Sequence, residues 1–565
     1  MKWIAPTERN VNNQALEQRL WAAADQFRAN SGLTAAQYSQ PILGLIFLRF
    51  AEARFDSRRK ELEVAATSSR RGSQVDEPAA YSAEGVLYLT EVARFPHLLN
   101  LPEGADIGGA INSAMREIEQ HNPALAGVLP KTYNIFSGAL LKDLLKKVSE
   151  IPVTLEFDAF GRIYEYFLGE FARTEGSKGG EFYTPSPIVR LLVEVLEPYH
   201  GRILDPACGS GGMFVQSARF VSEHKSDPGK ELSIYGVEKT DETGKLARMN
   251  LAIHGLEGDV KHGGEVNTYY DDPHQAVGRF DFVLANPPFN VNAVDKERLG
   301  GAVGPGKRFP FGLPRTDNAN YLWIQLFYSS LNENGRAGFV MANSASDARS
   351  SEQDIRQKLI EEGAVDVMVA VGPNMFYTVT LPCTLWFLDP SKMADLKMAP
   401  DADEATRRRV TAHYWRQTRV LFLDARHIYR QIDRAHRDWT SAQIGFLANV
   451  VRLYRGEELD FTLGGEEAKA KIEELFGPDP TDGNSEPTYR DILGLCKAAT
   501  LDEIAAQQNS LNPGRYVGVA PGEEVSDEDF KERLTALNEE LESLNILARE
   551  LEAKITQNIT ELLEA

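Results

Sequence analysis

The run Phe280-Asp281-Phe282-Val283-Leu284-Ala285, closed by Asn286-Pro287-Pro288-Phe289, constrains this chain more than any other stretch. The run has the length and apolar character of a buried parallel strand. Two prolines stop it and stiffen the turn, because proline fixes φ, lacks an N–H and restricts the residue before it. A stiff turn at a strand's carboxyl end is where open α/β sheets place their chemistry. The Asn286 side chain and a proline-flanked carbonyl can both accept hydrogen bonds from one NH2 group. Phe289 can stack on the flat ring that carries the group. The arrangement suits a planar amino-heterocycle such as adenine or cytosine. Taken alone, the stretch also fits a structural strand with a Pro-rich turn, so its surroundings decide.

Upstream, the strand Arg202-Ile203-Leu204 runs into Asp205-Pro206-Ala207-Cys208-Gly209-Ser210-Gly211-Gly212-Met213, and a helix follows with Phe214, Ala218 and Val221 on one face. Glycines let the backbone approach a ligand, and the helix amino terminus favours negative charge. The spacing is neither GxGxxG nor GxxxxGK[ST], and no lysine is placed to hold phosphate. Asp205 favours a cationic ligand, so S-adenosylmethionine fits this mixture better than NAD or ATP. The next strand, Ser233–Val237, ends at Glu238, placed to take two ribose hydroxyls. Asp259–Glu265 suggests a third strand end, where Glu265 would sit near an adenine ring or remain a solvated carboxylate. Further strands and helices alternate through Leu385–Leu388, and alternation means a doubly wound α/β sheet.

The flanks read differently. From Leu16 to about Leu168 the pattern is helical, with Pro41 opening a buried helix and a polar loop over Ala66–Pro78. In Glu181-Phe182-Tyr183-Thr184-Pro185-Ser186-Pro187, Thr184 or Ser186 can cap the helix that follows, and an exposed Phe-Tyr pair can pack on a ligand. The Gly- and Pro-rich stretch Leu299–Arg315, with Lys307, Arg308 and Arg315, reads as a mobile loop able to touch phosphates. Charged Lys392–Arg409 marks a boundary. The expected division is a helical domain over 1–168, a catalytic domain over 169–400, a mixed extension over 401–520 and a helical tail over 521–565. In the tail, Phe530, Leu534, Leu537, Leu541, Leu544, Ala548, Leu551 and Ile555 recur in steps of four and three, an a/d coiled-coil stripe.

The net charge of −21 argues against a lone nucleic-acid binder, which would ordinarily be basic; a partner would have to supply phosphate contacts. Cys208, Cys383 and Cys496 lie far apart with no CxxC pair, so reduced structural cysteines and no metal are expected in a cytoplasmic protein. No apolar run reaches spanning length, so no membrane is expected.

Together, the Glu-Phe-Tyr-Thr-Pro stretch, the Gly-rich turn, Glu238 and Asn-Pro-Pro-Phe make the chain resemble the modification subunits of type I restriction–modification systems. The resemblance implies an N6-adenine DNA methyltransferase on a Rossmann-like fold. It implies that Glu181 to Ser186 lie along the cofactor and that Ser210, Gly211 and Gly212 form its turn. It gives Glu238 the ribose, and Asn286, Pro287, Pro288 and Phe289 the catalysis. The family's third-strand acid has no firm match, leaving Glu265 as the candidate. The implied partners are double-stranded DNA with a flipped adenine, a specificity subunit, a second modification subunit and a restriction subunit. Other readings of the residues are transfer to the cytosine amino group, transfer to protein glutamine, and a catalytically idle cofactor-binding scaffold.

Residues 521–565 carry 13 acidic and 4 basic side chains, so phosphate repulsion opposes their lying on DNA. Their leucine stripe is expected to meet another helix, and the resemblance names the specificity subunit. Deleting Asp527 to Ala565 should leave a chain that binds cofactor but no longer assembles with that subunit. Size-exclusion chromatography with light scattering on co-expressed subunits checks this; a full-sized complex from the truncated chain would refute it.

Overall fold

The computed structural model describes residues 1–5, 21, 35–68, 74–102, 104–151, 163–171, 183–264, 266–314, 319–376, 382–396, 402–433, 436–478 and 486–519. Glu181, Phe182, Glu265, Arg315 and the heptad tail lie outside them. After β1 (Trp3–Ala5) come α1 (Ala35–Ser68), α2 (Ile107–His121) and α3 (Gly138–Ser149). The alternating region follows as α4 (Ser186–Leu196), β2 (Gly201–Asp205), α5 (Gly212–Glu223), β3 (Leu232–Glu238), α6 (Asp241–Ile253), β4 (Gly258–His262) and β5 (Phe280–Ala285). It continues as α7 (Asn320–Ser330), β6 (Leu331–Ala342), α8 (Ser351–Glu361), β7 (Val365–Ala370) and β8 (Cys383–Leu388). Then come α9 (Glu404–Arg416), β9 (Arg419–Asp424), β10 (Ile428–Gln431), β11 (Arg437–Asp438), α10 (Ser441–Arg455), α11 (Gly465–Phe476) and β12 (Cys496–Thr500).

Among the described residues, nine strands form one sheet in the order β12-β9-β7-β8-β6-β5-β2-β3-β4. The run β6-β5-β2-β3-β4 is parallel, as is the pair β7 and β9; β8 and β12 run antiparallel to their neighbours. Strands buried on both faces need continuous apolar runs, and β7 and β8 are buried along their whole length. The stretch after 400 therefore shares the sheet, through β9 and β12. A second, three-stranded sheet joins β1 in parallel to β10, with β11 beyond. Among the described residues, no helix is long and apolar enough to cross a membrane, and all three cysteines are buried and unpaired.

The helical region buries Phe47, Tyr81, Ile111, Leu145 and Phe167 in a cluster that takes in Met249 and Ile253 of α6. Pro41 lies inside α1 rather than at its start. It forgoes one helix hydrogen bond, while its carbonyl accepts from the Tyr133 hydroxyl at 2.9 Å. The helix also runs to Ser68, into the expected loop.

The expected boundary over Lys392–Arg409 is instead partly interior. Lys392 is buried, and Arg416 joins an ion network at the sheet's amino-terminal edge. There Arg455 donates to Asp366 at 3.0 Å and Arg416 to Asp389 at 3.2 Å, while Arg336 reaches Glu457 at 3.4 Å. Arg455 also donates to the carbonyl of Val195 at 2.7 Å, tying α10 to the end of α4. Burial pushes the Asp366 carboxyl up, but Arg416 and Arg455 outweigh it and hold the group below the usual carboxylate range. A carboxyl depressed in this way contributes stability that is present above its unfolded pKa, about 3.9, and is lost as pH falls through the folded value. Arg455→Ala leaves that buried charge half-compensated and should cost about 3–5 kcal/mol. The urea midpoint at neutral pH should fall, and acid unfolding should begin at higher pH than in the parent chain.

Candidate functional site

Strand order reverses beside β2, with β3 and β4 on one side and β5 on the other. Such a switch point leaves a crevice outside the strands' carboxyl ends. The turns after β2 and β5 both open into it. A cleft there is lined by Tyr183, Thr184, Asp205, Ala207, Cys208, Gly209, Ser210, Gly212, Met213 and Asn286. Residues from three separate stretches of sequence thus line one cleft.

The Gly-rich turn is held from several directions. The Cys208 N–H donates to Val237 O at 3.0 Å, across to β3. Asn250 of α6 donates to Ser210 O at 2.9 Å. Gly211 caps α5 at φ 80°, a left-handed conformation open to glycine at little cost. Two carboxylates sit under the turn. Asp205 accepts from the Ala207 N–H at 3.0 Å. Glu238 accepts from the N–H groups of Gly209 at 3.1 Å and Thr240 at 2.8 Å. Burial pushes the Asp205 carboxyl well above the usual range, and the neighbouring Glu238 charge adds to this. Burial raises Glu238 as well, against the pull of its N–H donors. Neither carboxylate has a Lys or Arg partner among the described residues. Two raised acids without a counter-cation suit a ligand that brings positive charge.

On the facing side, the Asn286 amide nitrogen donates to Thr184 Oγ1 at 3.0 Å. Its oxygen, Oδ1, is buried and has no hydrogen-bond partner among the described residues. Pro287 is buried and Pro288 exposed; Phe289 is half-buried against the core. The chain then turns through Asn290 at φ 54°. The Asn290 N–H donates to Asn320 Oδ1 at 2.8 Å, and Asn320 Nδ2 returns a bond to Asn290 Oδ1 at 2.9 Å. A fully buried residue opening α7 thereby clamps the turn.

Several expectations are corrected here. Neither Thr184 nor Ser186 caps α4: Pro185 holds the cap position with no side-chain bond. The Thr184 hydroxyl is engaged by Asn286, and that of Ser186 contacts Tyr183 and, at 3.5 Å, Glu165. Tyr183 is not an exposed aromatic; it packs on the helical cluster. Arg308 turns inward, donating to the carbonyls of Thr268 at 2.5 Å and Tyr269 at 3.3 Å, and Lys307 bonds Gly301 O at 3.0 Å. The loop is tied at these points; the largely buried Arg308 is committed to carbonyls, while Lys307 stays exposed. Asn320 and Asn250 were not legible as site residues. Asn290, adjoining the Asn-Pro-Pro-Phe, was a usable signal; nothing in the sequence marks its partner 30 residues on.

The N-6 DNA methylase family profile matches residues 155–525, and that of the HsdM N-terminal domain matches residues 16–148. The chain is 35% identical to the type I restriction enzyme MjaIX methylase subunit of Methanocaldococcus jannaschii, over 97% of this chain and 91% of that one. It is 33% identical to the HindI methylase subunit of Haemophilus influenzae, over 83% and 97% respectively. Its fold resembles the type I restriction–modification methyltransferase subunit from Streptococcus thermophilus, at TM-score 0.64 and 22% identity, over 89% of this chain and 99% of that one.

The Asn290–Asn320 clamp has a measurable consequence. Asn320→Ala removes the acceptor for the Asn290 N–H, at a cost of about 1–3 kcal/mol. Amide hydrogen exchange over residues 286–293 should quicken by about tenfold or more, with exchange in β2 unchanged. Unaltered exchange in the turn would show that the clamp does not hold it.

Proposed function

The chain belongs to the N-6 DNA methylase family, and from that membership we propose that Asn286 grips the amino group of an adenine in DNA while a methyl group is transferred to its N6 nitrogen. The protein is an adenine-specific DNA methyltransferase, the methylase subunit of a type I restriction–modification complex. The observation that supports this assignment of the site most directly is the bare Oδ1 of Asn286. A buried acceptor left unmade costs free energy, so its position is best understood as awaiting a donor. An amino group is such a donor.

S-adenosylmethionine fits the opposite wall and, when bound, supplies an activated methyl group on a sulfonium. Asp205 and Glu238 offer the negative charge that its cationic groups require, and each Glu238 oxygen can still accept a ribose hydroxyl beside its backbone donor. Ala207, Gly209, Ser210, Gly211 and Gly212 would let the backbone come close, with Tyr183, Thr184 and the neighbouring Glu181, Phe182, Pro185 and Ser186 forming the near side. Glu265 is kept as the acid toward the adenine ring of the cofactor. The target adenine must leave the duplex, since its amino group is otherwise paired. Asn286 Oδ1 and the Pro287 carbonyl would then accept the two amino hydrogens, raising electron density on the nitrogen and aiming its lone pair. Phe289 would stack on the base. Positioning and preorganised acceptors supply the acceleration.

We divide the chain into a helical domain over 1–168, the catalytic domain over 169–400, its extension over 401–520 and a partner-binding tail over 521–565. The protein works with other subunits, and we assign target reading to a specificity subunit docked on the tail. A second modification subunit, a restriction subunit and a cytoplasmic location complete the proposal. Transfer to cytosine, transfer to protein glutamine and an idle scaffold are not favoured for a member of this family.

Asn286→Ala should retain cofactor binding by calorimetry and lower methylation of unmodified genomic DNA by about 10²–10³-fold or more. The assay follows tritium from labelled cofactor into N6-methyladenine, with the specificity subunit present. Near-normal transfer, or tritium in another base, refutes the assignment.

A further inference from the structure

Which way the Asn286 amide faces decides whether it can act. Its two ends differ only in one being a donor and the other an acceptor, and their assignment follows from the hydrogen bonds around them. With the nitrogen outward, an NH2 would meet the amino group of the base, donor against donor. With the oxygen outward, the two are complementary. A group outside the Asn-Pro-Pro-Phe that accepts from the nitrogen leaves the oxygen for the base.

Thr184 is placed to do this. Its hydroxyl accepts from Asn286 Nδ2 at 3.0 Å, which leaves the buried oxygen as the end of the amide without a partner among the described residues, in a residue that lines the cleft. The residue is itself held from behind. Tyr183 packs on the helical cluster, and its hydroxyl lies 3.3 Å from Ser186 Oγ. Ser186 reaches Glu165, which also accepts from the buried Gln216 Nε2 at 3.1 Å. The hydroxyl thus sits on a short segment anchored both to the helical region and to α5.

We infer that Thr184 is a positioning residue that acts on the base through Asn286, orienting the amide so that its oxygen faces the amino group. The inference rests on the reading of Asn286 as the base contact. It assigns Thr184 a duty separate from lining the cofactor. The threonine hydroxyl is needed as an acceptor, so serine can replace it and valine, of nearly the same shape, cannot.

The test compares Thr184→Val, Thr184→Ala and Thr184→Ser in the full chain co-expressed with its specificity subunit. Turnover is read by tritium transfer into unmodified genomic DNA and cofactor affinity by calorimetry with S-adenosylmethionine. Valine should lower kcat, at saturating cofactor, by about tenfold to a hundredfold, the scale of a misaligned reacting group, with the cofactor Kd moving far less than kcat and serine restoring most of the rate. Alanine, which cannot clash, should show the same split. A cofactor Kd that weakens in step with the rate, an unchanged kcat, or serine no better than valine overturns the proposal. Loss of the fold in both valine and alanine variants also overturns it, in favour of a purely structural Thr184. Asn286→Ala in the same assay separates the two readings. Transfer surviving there sinks the base contact itself, whereas its loss there with normal turnover in Thr184→Val removes only the role of Thr184.

Discussion

The pairing of β2 with β5 is the interaction on which the rest depends. Ile203 lies opposite Phe282 and Leu204 opposite Val283, in parallel. That register brings the turn after Asp205 and the turn after Ala285 to the same edge of the sheet. Parallel neighbours need a long crossover, and here it contains β3, β4 and the helices α5 and α6. Each crossover delivers another group to the same edge: Glu238 ends β3, and α6 returns Asn250 to the Gly-rich turn. Slipping β5 by one residue would turn Val283 out of the core and carry Asn286 away from Thr184.

The two edges of the sheet handle buried polarity in opposite ways. At the amino-terminal edge, Asp366, Asp389, Arg336, Arg416, Arg455 and Glu457 form ion pairs with one another. At the carboxyl edge, Asp205 and Glu238 meet backbone N–H and threonine donors but no Lys or Arg among the described residues, and the Asn286 oxygen meets no donor among them. Unmatched polar groups destabilise a fold. The carboxyl edge carries them where a ligand can complete them, while ion-paired charges lock α4, α9 and α10 around the opposite edge. Stability and chemistry are thus assigned to different ends of the same strands.

How legible each element was depended on where its cause lay. Phe280–Ala285 and Val365–Ala370 were readable because a strand buried on both faces is apolar nearly throughout; each carries a single Asp near its start. The glycines and the Asn-Pro-Pro-Phe were readable because backbone conformation and hydrogen-bonding type are local properties. Cys496-Lys497-Ala498-Ala499-Thr500 has the composition of a helix, yet it is β12, because β9 offers it an open edge; tertiary pairing overrides propensity there. β1, β10 and β11 are too short to show a period. Thr184 looked like a cap because local sequence cannot reveal that Asn286, 102 residues away, takes its hydroxyl. Arg308 looked like a phosphate ligand for the same reason: its carbonyl partners are distant in sequence.

Helix α6 is shared property. Its Asn250 serves the Gly-rich turn, while Met249 and Ile253 belong to the core of the helical region. The two regions therefore lack a clean seam, and an evolutionary exchange of one for a relative's version would have to match residues inside the other. Shuffling of parts, which serves proteins built from separable modules, is restricted here by a single helix with obligations on both its faces. Diversification in this chain is accordingly freer where no such shared face is involved.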